Sequence, residues 1–265
     1  MVQETKSAEV WLAELLDDGN DQVAVGAALM KEEATLRGQV IERIVASVTE
    51  DEAGPLWGLA YLHEDDRAIE ALGTFATSGP GESRTTALGI FGVLRSKPVS
   101  GLPILLAALS DDDDDVVSEA AQALMAYPDP VSIAPLKEAL TRAQQNPRWG
   151  FGALAGHLMT ALAVAGPGRD DVIDVLIRNL EPAQRHAALP AFKALIAMKD
   201  EARCAVPTLE AIAQRADLYL ATLARHALAA ITGDYSRHIG ALEAAAKSKE
   251  PAVQAVARAA LKAAK

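Results

Sequence analysis

Six apolar stretches in this chain begin at residues 83, 116, 154, 187, 220 and 253, at intervals of 33, 38, 33, 33 and 33. They read SRTTALGIF, VVSEAAQAL, LAGHLMTAL, AALPAFKAL, LATLARHAL and VQAVARAAL. Within each, small or apolar residues recur at offsets 0, 4, 7, 8 and 11, which gather on one face of an α-helix. A leucine lies eleven residues before most of these starts, at Leu72, Leu105, Leu176, Leu209 and Leu242, and so marks a preceding helix. The 38-residue interval takes Leu136 and Leu140 in that role and places an insertion around Arg142 to Arg148. A lone helix pair cannot bury both of its apolar faces, so such units must stack on their neighbours.

Toward the N-terminus the pattern is less regular. Leu12 and Val40 fit the first helix of two further units, and Val23 and Asp51 mark the second. The chain is thus expected to be an all-α solenoid of about eight helix–turn–helix units. It is expected to form one domain over 1–265, with irregular units in 1–65 and regular ones in 66–265. The turns carry SGPGE, YPDP, AGPGRDD and TGDY, where glycine ends helices and proline fits only their first turn. Pro190 falls inside an expected helix and predicts a kink there.

The units resemble HEAT repeats of the short bacterial type first named from phycobilisome lyases. The resemblance is carried by LPILLAALSDDDDDVVSEAAQALMAY (Leu102 to Tyr127) and IGALEAAAKSKEPAVQAVARAALKAA (Ile239 to Ala264). It implies an α-solenoid and says little about activity. Such repeats often carry arginine at offset 1, paired with a turn aspartate. Here only Arg84 occupies that place, the others being Val117, Ala155, Ala188, Ala221 and Gln254. The ladder of pairs between repeats is therefore expected to be missing.

Charge is uneven. The net charge is −11, but residues 1–132 hold 8 Lys+Arg against 24 Asp+Glu, and residues 133–265 hold 17 against 12. The acidic half repels phosphate and anionic membrane and favours a basic partner. The acidic patch Asp111, Asp112, Asp113, Asp114 and Asp115 sits in a turn, with Asp114 or Asp115 as the cap or first-turn residue of the next helix. It reads as a solvated turn or as a recognition patch. A calcium loop fits poorly, since Val116 stands where glycine is needed and Gln122 where glutamate is needed. Asp17, Asp18 and Asp21, with Glu50, Asp51 and Glu52, fall in comparable turns.

No phosphate-binding glycine loop, nucleophile elbow or close metal-ligand spacing occurs, so no catalytic residue, metal or cofactor is assigned. His63-Glu64 is the lone His-Glu pair, whereas the HEAT-like deoxyhypusine hydroxylases place several. The lone thiol, Cys204, is expected to be structural and at least half-buried. The start of the chain lacks an apolar signal core and no long apolar run follows, which suggests a soluble, cytoplasmic protein.

Two surface patches follow from the offsets facing away from the buried side. One is apolar and would bind a partner: Met125, Met159, Leu189, Phe192 and Ile196. The other is cationic and would bind an anion: Lys193, Arg225, His226, Arg258 and Lys262. The expected role is a non-catalytic protein-binding scaffold working through its concave face. Head-to-tail self-association between the acidic and basic halves is a further possibility. Two alternatives stay open. One is a nucleic-acid-binding protein like the HEAT-like alkylpurine DNA glycosylases, for which Arg148 and Trp149 would matter. The other is a chromophore or cofactor chaperone of the lyase type.

Overall fold

The computed structural model describes residues 6–50, 52–145, 153–180 and 188–264. They form two compact units, Met1–Tyr127 and Pro128–Lys265. The charge divides with them: residues 1–127 carry 8 Lys+Arg and 23 Asp+Glu, net −15, and residues 128–265 carry 17 and 13, net +4.

The first unit contains α1 (Ala8–Leu16), α2 (Gln22–Leu29), α3 (Ala34–Ser47), a 3-10 turn (Gly54–Leu56) leading into the short α4 (Trp57–Ala60), α5 (Asp66–Ser78), α6 (Gly81–Val93), α7 (Gly101–Ala108) and α8 (Asp114–Leu124). Consecutive helices pair, and alternate helices stack: α1 on α3, α3 on α5, α5 on α7, and α6 on α8. Acidic and hydroxyl side chains start the helices. Ser7, Asp21, Asp65 and Asp113 each accept a backbone N–H at the head of α1, α2, α5 and α8.

The second unit contains α9 (Ile133–Gln145), α10 (Ala153–Ala165), α11 (Asp170–Arg178), α12 (Leu189–Met198), a 3-10 stretch (Lys199–Ala205), α13 (Val206–Ala213), α14 (Leu218–Thr232), α15 (Ile239–Ala245) and α16 (Pro251–Ala263). Here α10, α12, α14 and α16 stack in series. Gly233 ends α14 in the left-handed conformation, at φ 73°, a backbone state that favours glycine.

The 33-residue pattern becomes the core. At offset 4, Ala87, Ala120, Leu158, Ala191, Ala224 and Ala257 are all 0% exposed. The marker leucines of the first helices, Leu72, Leu105, Leu136, Leu176, Leu209 and Leu242, are buried as well. Small residues in the row let helices approach closely. Gly92 on α6 shows how closely: a Cβ there would lie 3.0 Å from the Ala123 Cα of α8.

Three expectations are corrected. Pro190 lies in the first turn of α12, just after the N-cap Ala188, where its missing N–H and fixed φ cost nothing, so it stands at a helix start and not at a kink. Val23 does not mark a buried face, being 59% exposed, and α2 instead packs through Gly26 and Leu29. Cys204 is exposed, in the 3-10 stretch between α12 and α13. Part of the insertion lengthens α9, whose 13 residues run on to Gln145, where α7 has 8 and α11 has 9. Asp51, Arg148, Trp149 and Ala187 lie outside the described residues. Among the described residues, no helix is long and apolar enough to cross a membrane.

Candidate functional site

The aspartate run divides into two roles. Asp111 and Asp113 face inward to Arg84 of α6. The Arg84 guanidinium donates from Nη1 to Asp111 Oδ2 at 2.5 Å and from Nη2 to Asp113 Oδ2 at 3.4 Å. The other oxygens of these carboxylates hold the turn, accepting the backbone N–H groups of Asp113 and Asp115. The cap of α8 is Asp113, and Asp114 and Asp115 stand in its first turn, one of the two places expected for them. Asp112, Asp114 and Asp115 are exposed. The Asp114 carboxyl is pushed up by partial burial and by its neighbours Asp113 and Asp115.

The same device appears twice more. Asp65, buried at the head of α5, accepts from Arg67 Nε at 2.8 Å and Nη2 at 2.7 Å, and from Arg37 Nε on α3 at 3.0 Å. The Arg67 guanidinium holds its carboxyl far below the usual carboxylate range, against the opposing effect of burial. In the second unit Asp171 accepts from Lys137 Nζ at 2.6 Å and Arg169 Nε at 3.0 Å. Pairs between neighbouring repeats thus exist, but the cation comes from a different position in each.

The apolar strip is mostly absent as a surface. Met159 and Phe192 are 0% exposed, and Met125, Leu189 and Ile196 are half-buried. Met159 and Phe192 stand at offset 5 of α10 and α12, which stack on each other, with α12 also stacking on α14. The same row runs through Leu88 and Ala121, also buried, to Arg225, half-buried, and ends at Arg258 on α16, exposed.

The cationic candidates have separate surroundings. Arg225 Nη2 donates to the Ala213 carbonyl at 2.6 Å and so caps the C-terminal end of α13. Burial lowers the pKa of the half-buried His226. Lys193, Arg258 and Lys262 are exposed. His63 donates from Nδ1 to the Ala60 carbonyl at 2.8 Å, as part of a turn. Although Cys204 is exposed, partial desolvation pushes its thiol up, with Asp170 adding to the effect. Among the described residues, no group of three or more His, Cys, Asp or Glu is placed to hold a metal ion.

Sequence reasoning missed a groove in the first unit. It has a volume of about 430 Å³ and is lined by α1, α2 and the 52–61 segment, through residues that include Leu16, Asp18, Gln22, Glu52, Trp57 and Tyr61. The acidic turns at Asp18 and Glu52 were visible in the sequence. Their meeting with an exposed tryptophan needed the fold.

Residues 66–149 match the family described as HEAT repeats. Solved structures similar to this chain include the complex of CpcE and CpcF of phycocyanin lyase from Nostoc sp. PCC7120. It has 19% identity and a TM-score of 0.45, over 98% of this chain and 89% of that one. Human deoxyhypusine hydroxylase in complex with glycerol has 17% identity and a TM-score of 0.26, over 97% and 95%. An engineered protein has 20% identity and a TM-score of 0.26, over 98% and 99%. No curated protein sequence matches the chain. In the described residues the chain is an all-α helical repeat protein, and its segment 66–149 is similar to HEAT repeats.

Proposed function

We propose that this protein is a non-catalytic scaffold that binds another protein, one bearing a basic region, through the acidic edge of its first unit. The observation that carries this reading is how the side chains are spent. The apolar faces of the helices are consumed by stacking, and the expected apolar strip is largely buried with them. What the first unit presents outward is carboxylate: Asp17, Asp18, Asp112 and Glu52 are exposed on a unit of net charge −15. Such a field repels phosphate backbones and speeds encounter with cationic surfaces. It disfavours the glycosylase-like reading, which needs a basic groove.

The test is cross-linking mass spectrometry on complexes captured by the full chain at two salt concentrations. Cross-links from one recurrent partner into residues 6–127, weakened by salt, are expected. Recovery of no partner above a control carrying neutralised turn residues would overturn the reading. The net charges of the two units, −15 and +4, also suit association between copies. Mass photometry of the purified chain would show this as salt-sensitive oligomers.

A further inference from the structure

From the groove lined by Leu16, Asp18, Gln22, Glu52, Trp57 and Tyr61, we infer a pocket for an arginine side chain of a basic peptide segment. This deepens the scaffold reading and rests on it, since the occupant is taken to belong to the partner protein.

Aromatic exposure is the first ground. Other rings are packed inside or partly covered: Trp11 is 5% exposed, Phe91 and Phe192 are 0%, and Tyr61, Phe75 and Tyr235 are half-buried. Trp57 is 43% exposed although it opens a helix whose next residues, Gly58 and Leu59, are buried. An amphipathic ring left open beside a concavity is a typical anchor of a protein–protein contact.

Charge is the second. Asp18 and Glu52 line the same groove, and among the described residues no Lys or Arg forms an ion pair with either. Two cations of the first unit are engaged elsewhere: Lys6 pairs with Glu14, and Arg43 pairs with Glu9. Two uncompensated carboxylates beside an aromatic face attract a cation and repel an acid.

Shape is the third. Tyr61 donates its hydroxyl proton to Gln22 Oε1 at 2.9 Å, tying α2 to the end of α4. Gly26 brings these two elements together, because a Cβ there would lie 2.7 Å from the Tyr61 carbonyl oxygen. The wall is therefore built before any ligand arrives. An apolar floor at Leu16, a ring face and two carboxylates match the alkyl stem and planar guanidinium of arginine better than the compact ammonium of lysine.

The experiment titrates the full chain with a fluorescein-labelled peptide of alternating glycine and arginine, read by anisotropy. Citrulline and lysine versions of the same peptide serve as comparisons. The arginine peptide is expected to bind at least fivefold more tightly than the lysine one and at least tenfold more tightly than the citrulline one. Trp57→Ala should weaken binding about tenfold, and Trp57→Phe, which keeps a ring face, about threefold. Asp18→Asn with Glu52→Gln should do as much as Trp57→Ala. Circular dichroism and Tm confirm that each variant is folded. Equal affinity for wild type and Trp57→Ala would show general charge attraction and overturn the pocket, as would absence of binding at millimolar peptide. A captured partner whose cross-links avoid the groove would overturn the pocket while leaving the scaffold reading standing. Peptide binding that depends on Trp57, with no partner recovered, would do the reverse.

Discussion

Arg84 and Asp111 are 27 residues apart in the chain and hydrogen-bonded in the fold, joining α6 to the turn that precedes α8. The pair binds one repeat to the next where α6 and α8 already stack. Its two side chains are about one-fifth exposed, so the attraction is partly screened. A double-mutant cycle with Arg84→Ala and Asp111→Ala should give a coupling of about 0.5–1 kcal/mol, typical of a partly exposed pair. Urea midpoints at low and high salt check this, and the coupling should shrink as salt rises.

Asp65 serves two arginines and also caps α5. Its pKa is depressed in the fold, so its contribution is present above the unfolded value, near pH 4. That contribution is lost as pH falls from there toward the lowered folded value. Asp65→Asn should cost about 1–3 kcal/mol at pH 7, since Arg37 and Arg67 keep some access to water. The variant should also lose much of the acid sensitivity below pH 4, measured as Tm against pH.

His226 behaves in the opposite range. Burial lowers its pKa, so the unfolded chain takes up a proton first, near pH 6.5. The stability of the second unit is then complete above that pH and falls as pH drops toward the folded value. His157 and His238 are shifted in the same direction, also chiefly by burial. Urea midpoints should fall between pH 7 and pH 5, and His226→Gln should flatten that slope.

Phe192 tests the correction to the apolar strip. As a fully buried ring in α12, its replacement by alanine should cost about 3–5 kcal/mol. Ile196→Ala, at a half-buried site, should cost less than half as much. Chemical denaturation of both variants gives the comparison, and a near-neutral Phe192→Ala would contradict the packing.

The repeat was legible because its message is one of period: a row of alanines and leucines every 33 residues has few other uses. The turn aspartates were legible as helix starts for the same local reason. What escaped was set by neighbours. Offset 5 looks like a flank on one helix, yet Met159 and Phe192 are fully buried in helices that stack on their neighbours. Arg37 reaches Asp65 from another repeat, outside the offset at which a partner was sought. Pro190 was misread because the helix boundary that makes it harmless comes only one residue earlier, at Leu189. The Trp57 groove needed three separate segments to meet, and no single window of the sequence contains them.

The fully enclosed alanines at offset 4 have one more implication. A side chain with no room to enlarge acts as a spacer of constant thickness. Within each unit, successive turns are therefore held at a set pitch whatever residues decorate them. A ligand long enough to touch two turns meets a ruler, and its own charge spacing decides whether it fits.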